Sequence, residues 1–199
     1  MVWFWYFLIY SFLGFLVEVA YVRLVGGVKR DRKCRLVLPI CPVYGLGALA
    51  ILLLPPLVQD SLPLLFPAAA LVCTAVEYVT GLFYEKVFRV SFWDYSHLPL
   101  NLGGRVCLLF ALFWGVLALL VLHVIHPAAA WLAARIPLWA FPPAVLATAL
   151  DTLLTARLLR RTGDPNSLRW YARLPRPALC RPAEFTEGLV DLLLRYVCL

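Results

Sequence analysis

The chain has 199 residues, of which 63% are apolar and 15% are charged, and its formal net charge is +7. A soluble globular domain contains roughly 45–50% apolar residues, so this composition excludes a fold with a water-facing polar surface. The length is that of a single domain. We therefore expect an all-α, polytopic membrane protein, because helices satisfy their own backbone hydrogen bonds inside a bilayer.

Five apolar segments follow one another along the chain. They are residues 3–24, 42–58, 62–84, 104–125 and 137–154. A helix of about 20 apolar residues crosses a hydrocarbon core of about 30 Å, so we expect about five transmembrane helices. The second and fifth segments are short and contain prolines, which is typical of kinked or tilted helices. The first lacks a basic n-region and a cleavage site, which favours a retained span over a signal peptide.

Lys and Arg gather after the first segment, after the third and in the tail after the fifth. With five spans, all three basic regions lie on one side, so the positive-inside rule predicts an N-terminus outside and a C-terminus in the cytoplasm. We expect a multi-pass cell-membrane protein with a transmembrane domain at 1–157 and a basic cytoplasmic tail at 158–199. Within the tail, residues 184–197 have the spacing of an amphipathic helix. Membrane lipids, rather than nucleic acid, are the partners that this charge pattern predicts.

Several ionisable residues lie inside the predicted spans, where charges are costly and usually functional. Glu18, Glu77 and Asp151 occupy the cytoplasmic parts of three spans, Glu85 follows Glu77 toward the same face, and Arg105 opens the fourth span. Four helices thus place charges at a similar depth. The sequence predicts a polar cluster in the inner leaflet.

Glu77, Gly81 and Tyr84 recur at helical spacing and share one face. A glycine between a carboxylate and a phenol allows a neighbouring helix to approach closely. The alternative is structural: Glu77 pairs with Arg105 or Arg23 and only joins helices. The residue pattern leaves both interpretations open.

The connector at residues 92–105 is too polar for a span and too apolar for a free loop. Its aromatic residues, Tyr95 among them, suit the headgroup level. Asp94 and Ser96 are expected to form side-chain-to-backbone turns, and Asn101, followed by two glycines, is expected to cap the fourth span. We expect an interfacial or partly re-entrant segment at the cytoplasmic mouth of the bundle.

No common catalytic or nucleotide-binding pattern occurs, neither G-x-S-x-G, H-E-x-x-H nor G-x-x-x-x-G-K-[ST]. The six cysteines include no C-x-x-C pair, and buried cysteine serves commonly as a small apolar residue. We therefore expect neither a metal nor a cofactor. A transport role is favoured over an enzymatic one.

A set of spaced motifs runs through residues 8–128. It comprises Gly14, Glu18, residues 41–47, Glu77-Tyr78, Tyr84-Glu85-Lys86, Trp93-Asp94-Tyr95-Ser96, Pro99, Asn101, residues 104–107 and Trp114-Gly115. In these motifs the chain resembles the CmpB-like bacterial integral membrane proteins classed as type IV ABC-transporter permeases. It departs from the family pattern at Gly103, where a polar residue is expected, and the matching motifs do not extend to its Arg-rich tail. The resemblance implies a permease component that works with a separate cytoplasmic ATPase.

The sequence thus predicts an integral membrane transport component whose polar cluster handles a solute, an ion or a lipid headgroup, as a single chain or a homo-oligomer. The candidate pathway residues are Glu18, Glu77, Glu85, Asp94, Tyr95, Asn101 and Arg105. The glutamates would meet a cation or relay protons, Arg105 would balance them or meet an anion, and the others would shape the mouth. The alternatives are a membrane-embedded enzyme acting on lipid-linked substrates and an accessory or scaffold subunit.

Overall fold

The computed structural model describes residues 1–25 and 34–168, so the predicted amphipathic helix at 184–197 lies outside the described residues. The helices are α1 (Val2–Val25), α2 (Pro42–Leu52), α3 (Pro56–Gln59), α4 (Leu62–Phe88), α5 (Leu108–Leu120), α6 (His126–Arg135) and α7 (Phe141–Thr162). Single turns of 3₁₀ helix cover Leu138–Ala140 and Pro165–Leu168, and a π-helical turn, Val121–Ile125, joins α5 to α6. A hairpin pairs β1 (Asn101–Leu102) with β2 (Val106–Cys107), with Asn101 opposite Cys107.

Four helical segments in the described part of the chain are long and apolar enough to cross a membrane. They are Val2–Tyr21, Leu62–Phe88, Leu108–Arg135 and Leu138–Thr162. The chain is therefore an all-α, multi-pass membrane protein, as its composition predicts.

The second predicted span, residues 42–58, is not one continuous helix. Its longer helical part, α2, has 11 residues and a length of about 16 Å, half of the hydrocarbon core. The amide of Cys41, just before α2, donates to the carbonyl of Ser11 in the middle of α1, at 2.8 Å. Since α1 continues to Val25, the chain returns about 21 Å along α1 before α2 begins.

The segment at residues 34–41, which precedes α2, is not helical. It is bent, so that the sulfur atoms of Cys34 and Cys41 at its two ends lie 3.2 Å apart. The amide of Leu36 donates to Thr155 Oγ1 at 3.0 Å, and the amide of Val37 donates to Asp151 Oδ1 at 2.8 Å. Non-helical backbone at membrane depth is stable only where protein or water satisfies it. Asp151 therefore serves the backbone of this segment, and the prediction that grouped it with the glutamates is not supported.

The fourth span is longer than predicted. The stretch between the fourth and fifth predicted spans is helical as far as Arg135, since it continues from the π-helical turn into α6. Pro127 lacks an amide hydrogen and its ring crowds the preceding turn, so the helix continues through a wider turn rather than ending. The added length packs on α1, where the Tyr10 hydroxyl and His126 Nδ1 lie 2.9 Å apart.

Two apolar clusters stabilise the bundle at different levels. The first joins α1, α2, α4, α5 and α6 and includes Ile51, Leu65 and Cys73. The second includes Phe88 and Leu158 and closes the other end of α4. Glu77 lies between Cys73 and Phe88 along α4 and is 5% exposed, so a polar site separates the two clusters.

The topology itself can be tested with reporters. If the stretch between α1 and α4 makes the second pass, the N-terminus lies outside and the C-terminus in the cytoplasm. We expect a reporter fused after Leu199 to report the cytoplasm and one inserted between Ile136 and Pro137 to report the outside. Alkaline phosphatase and green fluorescent protein fusions check this, and the same location for both sites would contradict it.

Candidate functional site

A cavity of about 320 Å³ is lined by α1, the segment before α2, α2, α4, α5 and the connector between α4 and α5. We call it the glutamate cavity, because Glu18 of α1 and Glu77 of α4 both line it. Its other polar lining residues include Tyr44, Tyr95 and Trp114. The two carboxylates come from helices that are far apart in sequence, and both are less than a tenth exposed.

Glu18 is held by α2. The Tyr44 hydroxyl donates to Glu18 Oε1 at 2.8 Å. To reach it, the Tyr44 ring lies directly against Gly14, where any side chain would overlap the ring. The glycine in the first span is therefore what allows the phenol to run along α1 to the carboxylate.

Glu77 accepts hydrogen bonds from two side chains. The Tyr95 hydroxyl donates to Oε1 at 3.1 Å, and Trp114 Nε1 donates to Oε2 at 2.9 Å. Hydrogen bonds to a charged acceptor are stronger than neutral ones and offset part of the cost of burying it. Glu77 thus links α4, α5 and the connector.

Arg105 pairs with Glu85, not with Glu77. Arg105 Nε donates to Glu85 Oε2 at 2.9 Å, and the two side chains are 22% and 30% exposed. The hydrogen bond with Glu85 raises the pKa of the Arg105 guanidinium above its ordinary value. The proposed pair between Glu77 and Arg105 is therefore wrong; the side chain of Arg23 lies outside the part that the structure describes.

The predicted face of α4 consists of Glu77, Gly81 and Tyr84, and the neighbours of Gly81 belong to the connector rather than to another helix. The side chains of Trp93 and Arg105 approach Gly81, at 3.4 and 3.7 Å from the position of an added Cβ. Tyr84 instead packs edge-on against Phe92, with ring centroids 4.8 Å apart. Gly81 thus admits the connector to α4.

The connector folds so that Tyr95 reaches the cavity. Asp94 Oδ1 accepts from the amide of Ser96 at 2.8 Å, and the Tyr95 amide donates to the carbonyl of Gly104 at 2.7 Å. Gly104 has a φ of +70°, and a Cβ there would lie 2.7 Å from Asp94 Oδ1. The expected turn at Asp94 and Ser96 is present, and it positions the Tyr95 ring.

Asn101 stabilises the connector rather than capping a helix. Its Oδ1 accepts from the Gly104 amide at 3.1 Å, and its Nδ2 donates to the carbonyl of Leu98 at 2.8 Å. The residue before α5 is Cys107, and no side chain caps that helix. The expectation that Asn101 caps the fourth span is therefore wrong.

The seven predicted site residues fall into two groups. Three line the cavity, namely Glu18, Glu77 and Tyr95. The other four, namely Glu85, Asp94, Asn101 and Arg105, lie in or against the connector that closes it.

Sequence reasoning missed the donors Tyr44 and Trp114. The available signal was chemical, since a Tyr hydroxyl or Trp indole N–H inside a span needs a buried partner.

A second, smaller cavity of about 50 Å³ adjoins the first and extends to Tyr10, Cys73 and Val121. Tyr44 and Trp114 line both cavities, and their ring centroids lie 5.0 Å apart. We call this pair the aromatic constriction. The atoms that fix its two rings in place are the carboxylates of Glu18 and Glu77.

Comparison with known proteins identifies the family. No curated protein and no solved structure matches the chain. The sequence pattern of the family described as "Putative ABC-transporter type IV" matches residues 5–156. This range covers more than half of the chain and includes both cavities and the connector. The chain therefore belongs to this ABC-transporter family of membrane proteins.

Proposed function

We propose that this chain is the permease subunit of an ABC-type transporter and that the glutamate cavity is its substrate site. Family membership and four long apolar helices support the membrane role. The chain contains no G-x-x-x-x-G-K-[ST] sequence, so a separate ATPase docked on the cytoplasmic face would supply the energy.

The observation that carries the proposal is the arrangement of two cavities with the aromatic constriction between them. Buried carboxylates inside membrane bundles commonly mark substrate or ion pathways. Here each carboxylate also holds one ring of the constriction, Tyr44 on Glu18 and Trp114 on Glu77. A substrate that competes for these carboxylates would weaken both hydrogen bonds and free the rings. Binding in the first cavity would thus favour access to the second.

The remaining predicted residues have a supporting role in this proposal. Glu85 and Arg105 fasten the connector to α4, while Asp94 and Asn101 fix its turns. Their hydrogen bonds keep the Tyr95 side chain at Glu77. The connector thereby acts as a wall of the pathway.

Accessibility of Cys73 tests whether the two cavities form one pathway. Cys73 lines the second cavity and is 3% exposed. With the other five cysteines replaced by alanine, Trp114→Ala should open the constriction and expose Cys73. In inside-out vesicles, we expect a membrane-impermeant methanethiosulfonate reagent to label Cys73 at least about tenfold faster in the Trp114→Ala protein than in the same background with Trp114 intact. The reason is that access to a buried thiol limits its labelling.

The matched control is Trp139→Ala in the same cysteine background, because Trp139 is 76% exposed and lines neither cavity. It should leave the labelling rate of Cys73 unchanged. Melting curves of both variants separate opening from unfolding. A Trp114→Ala protein that melts like the control while Cys73 stays unreactive would contradict the pathway.

A further inference from the structure

The walls of the glutamate cavity are unusually rich in aromatic rings. Besides Tyr44, Tyr95 and Trp114, the side chains of Tyr21 and Phe110 line it. Tyr95 stacks on Phe110 with centroids 4.5 Å apart. Aromatic faces attract organic cations, and cages of such rings recognise quaternary ammonium groups.

The charged residues that line the cavity also favour a cation. Glu18 and Glu77 contribute two carboxylates, and no Lys, Arg or His is among the described residues that line the cavity. Arg105 of the connector does not line the cavity and instead donates to Glu85. An anion would meet repulsion from both carboxylates, whereas a cation would be attracted by the carboxylates and the rings together.

The donor set suits an organic cation better than a metal ion. Hard metal cations take six or more oxygen ligands, but most of the cavity lining is apolar or aromatic. Its volume of about 320 Å³ lies at the lower end of sites that hold small organic molecules. An ammonium group carrying alkyl substituents fits both the chemistry and the size.

The cavity also opens sideways, between α1 and α5. Val17 of α1 and Phe113, Val116 and Leu120 of α5 line it, yet each is more than 40% exposed. These residues lie in spanning segments, so their exposed faces meet lipid. An alkyl chain attached to a bound headgroup could leave through this opening without entering water.

We propose that the glutamate cavity binds an organic ammonium cation, with its head among the aromatic rings near Glu18 and Glu77 and any alkyl chain directed between α1 and α5. This inference rests on the proposed function, since it assigns the substrate class of the same site. A membrane amphiphile and a small soluble ammonium compound share this chemistry.

Thermal unfolding of the purified full chain in maltoside micelles tests the assignment. The probes are decyltrimethylammonium, tetramethylammonium, uncharged decanol and anionic decyl sulfonate, each added below its micelle-forming concentration. We expect the ammonium compounds to raise the melting temperature in a saturable manner, while decanol and decyl sulfonate do not. A larger effect of the decyl compound would indicate a membrane amphiphile, and an equal effect would indicate a soluble solute.

Two carboxylate variants locate the binding. Glu77→Gln should weaken decyltrimethylammonium binding about tenfold or more, the loss expected for one close charge contact. Asp60→Asn removes the same charge at the exposed end of α3 and should bind like the wild type. Binding that Glu77→Gln leaves unchanged would overturn the assignment.

The probes also separate this inference from the proposed function. If decanol or decyl sulfonate stabilises the protein as strongly as decyltrimethylammonium, and Val116→Trp at the cavity mouth abolishes the effect, the cavity binds ligands but the ammonium assignment is wrong. If no probe of any charge stabilises the wild type, both the assignment and the proposed substrate site fall. Val79→Trp, at an equally exposed position of α4 outside the cavity, controls for the bulk of the tryptophan.

Discussion

Gly45→Ala is expected to destabilise the protein by about 3 kcal/mol, the upper range for overpacking a rigid core. A Cβ at position 45 would lie 2.6 Å from the backbone carbonyl oxygen of Phe7 and would also overlap Ser11 Oγ. The Phe7 carbonyl belongs to the backbone of α1 and cannot rotate away as a side chain could. The contact between α1 and α2 must therefore open, which would also displace Tyr44 from Glu18.

Melting of the purified protein in detergent measures this effect, and we expect a fall of roughly 10 °C for a chain of this size. Gly47→Ala is the matched control on the same helix, because a Cβ there would meet Cys73 Sγ at an ordinary 3.5 Å. It should change the melting temperature little. Equal melting temperatures for the two variants would show that α1 and α2 are not packed as described.

Glu77→Leu and Glu77→Gln are expected to separate the structural role of this carboxylate from its binding role. Leucine removes the acceptor for Tyr95 and Trp114, and a buried donor left without a partner costs about 1–3 kcal/mol. Glutamine can accept from the indole through its carbonyl and donate to the Tyr95 oxygen through its amide. Glu77→Gln should therefore melt near the wild type, while Glu77→Leu melts well below it.

Binding should respond differently from stability, since glutamine preserves the hydrogen bonds but not the charge. We expect both variants to bind decyltrimethylammonium about tenfold more weakly or worse, which titration followed by tryptophan fluorescence would measure. Arg105→Gln should not rescue either variant, because Arg105 pairs with Glu85. Strong destabilisation by Glu77→Gln that Arg105→Gln reverses would instead indicate a helix-joining ion pair at Glu77.

Two glycines and two carboxylates together explain how the site is built. Gly14 admits the ring of Tyr44, and Gly45 brings α2 onto α1. Glu18 and Glu77 then fix the aromatic constriction. In the proposed mechanism the same carboxylates attract the cation, so the cation competes with the Tyr44 and Trp114 donors for the same oxygens, and its binding favours opening. Such competition is a direct physical route for a ligand to shift a two-state element.

Composition alone indicated a membrane protein, because a chain with 63% apolar residues has too much apolar surface to face water and is stable in a bilayer instead. Periodicity and span length located α1, α4 and the start of the fourth span to within a few residues. Glu18 and Glu77 were predicted as site residues because a charge inside a span is costly and usually functional. The motif around Tyr95 indicated that the connector is part of the site. These features depend on local chemistry, which the sequence displays directly.

Only the tertiary structure decided which partners these groups take. The sequence predicts a loop at residues 34–41, yet Asp151 and Thr155 of α7 accept hydrogen bonds from its backbone and hold it against the bundle. Arg105 could have paired with either glutamate, and the fold of the connector brings it to Glu85. Hydrogen-bond partners more than a hundred residues apart leave no periodic signal in a single sequence. They are fixed by how the helices pack, since the bilayer offers no water to satisfy a misplaced polar group.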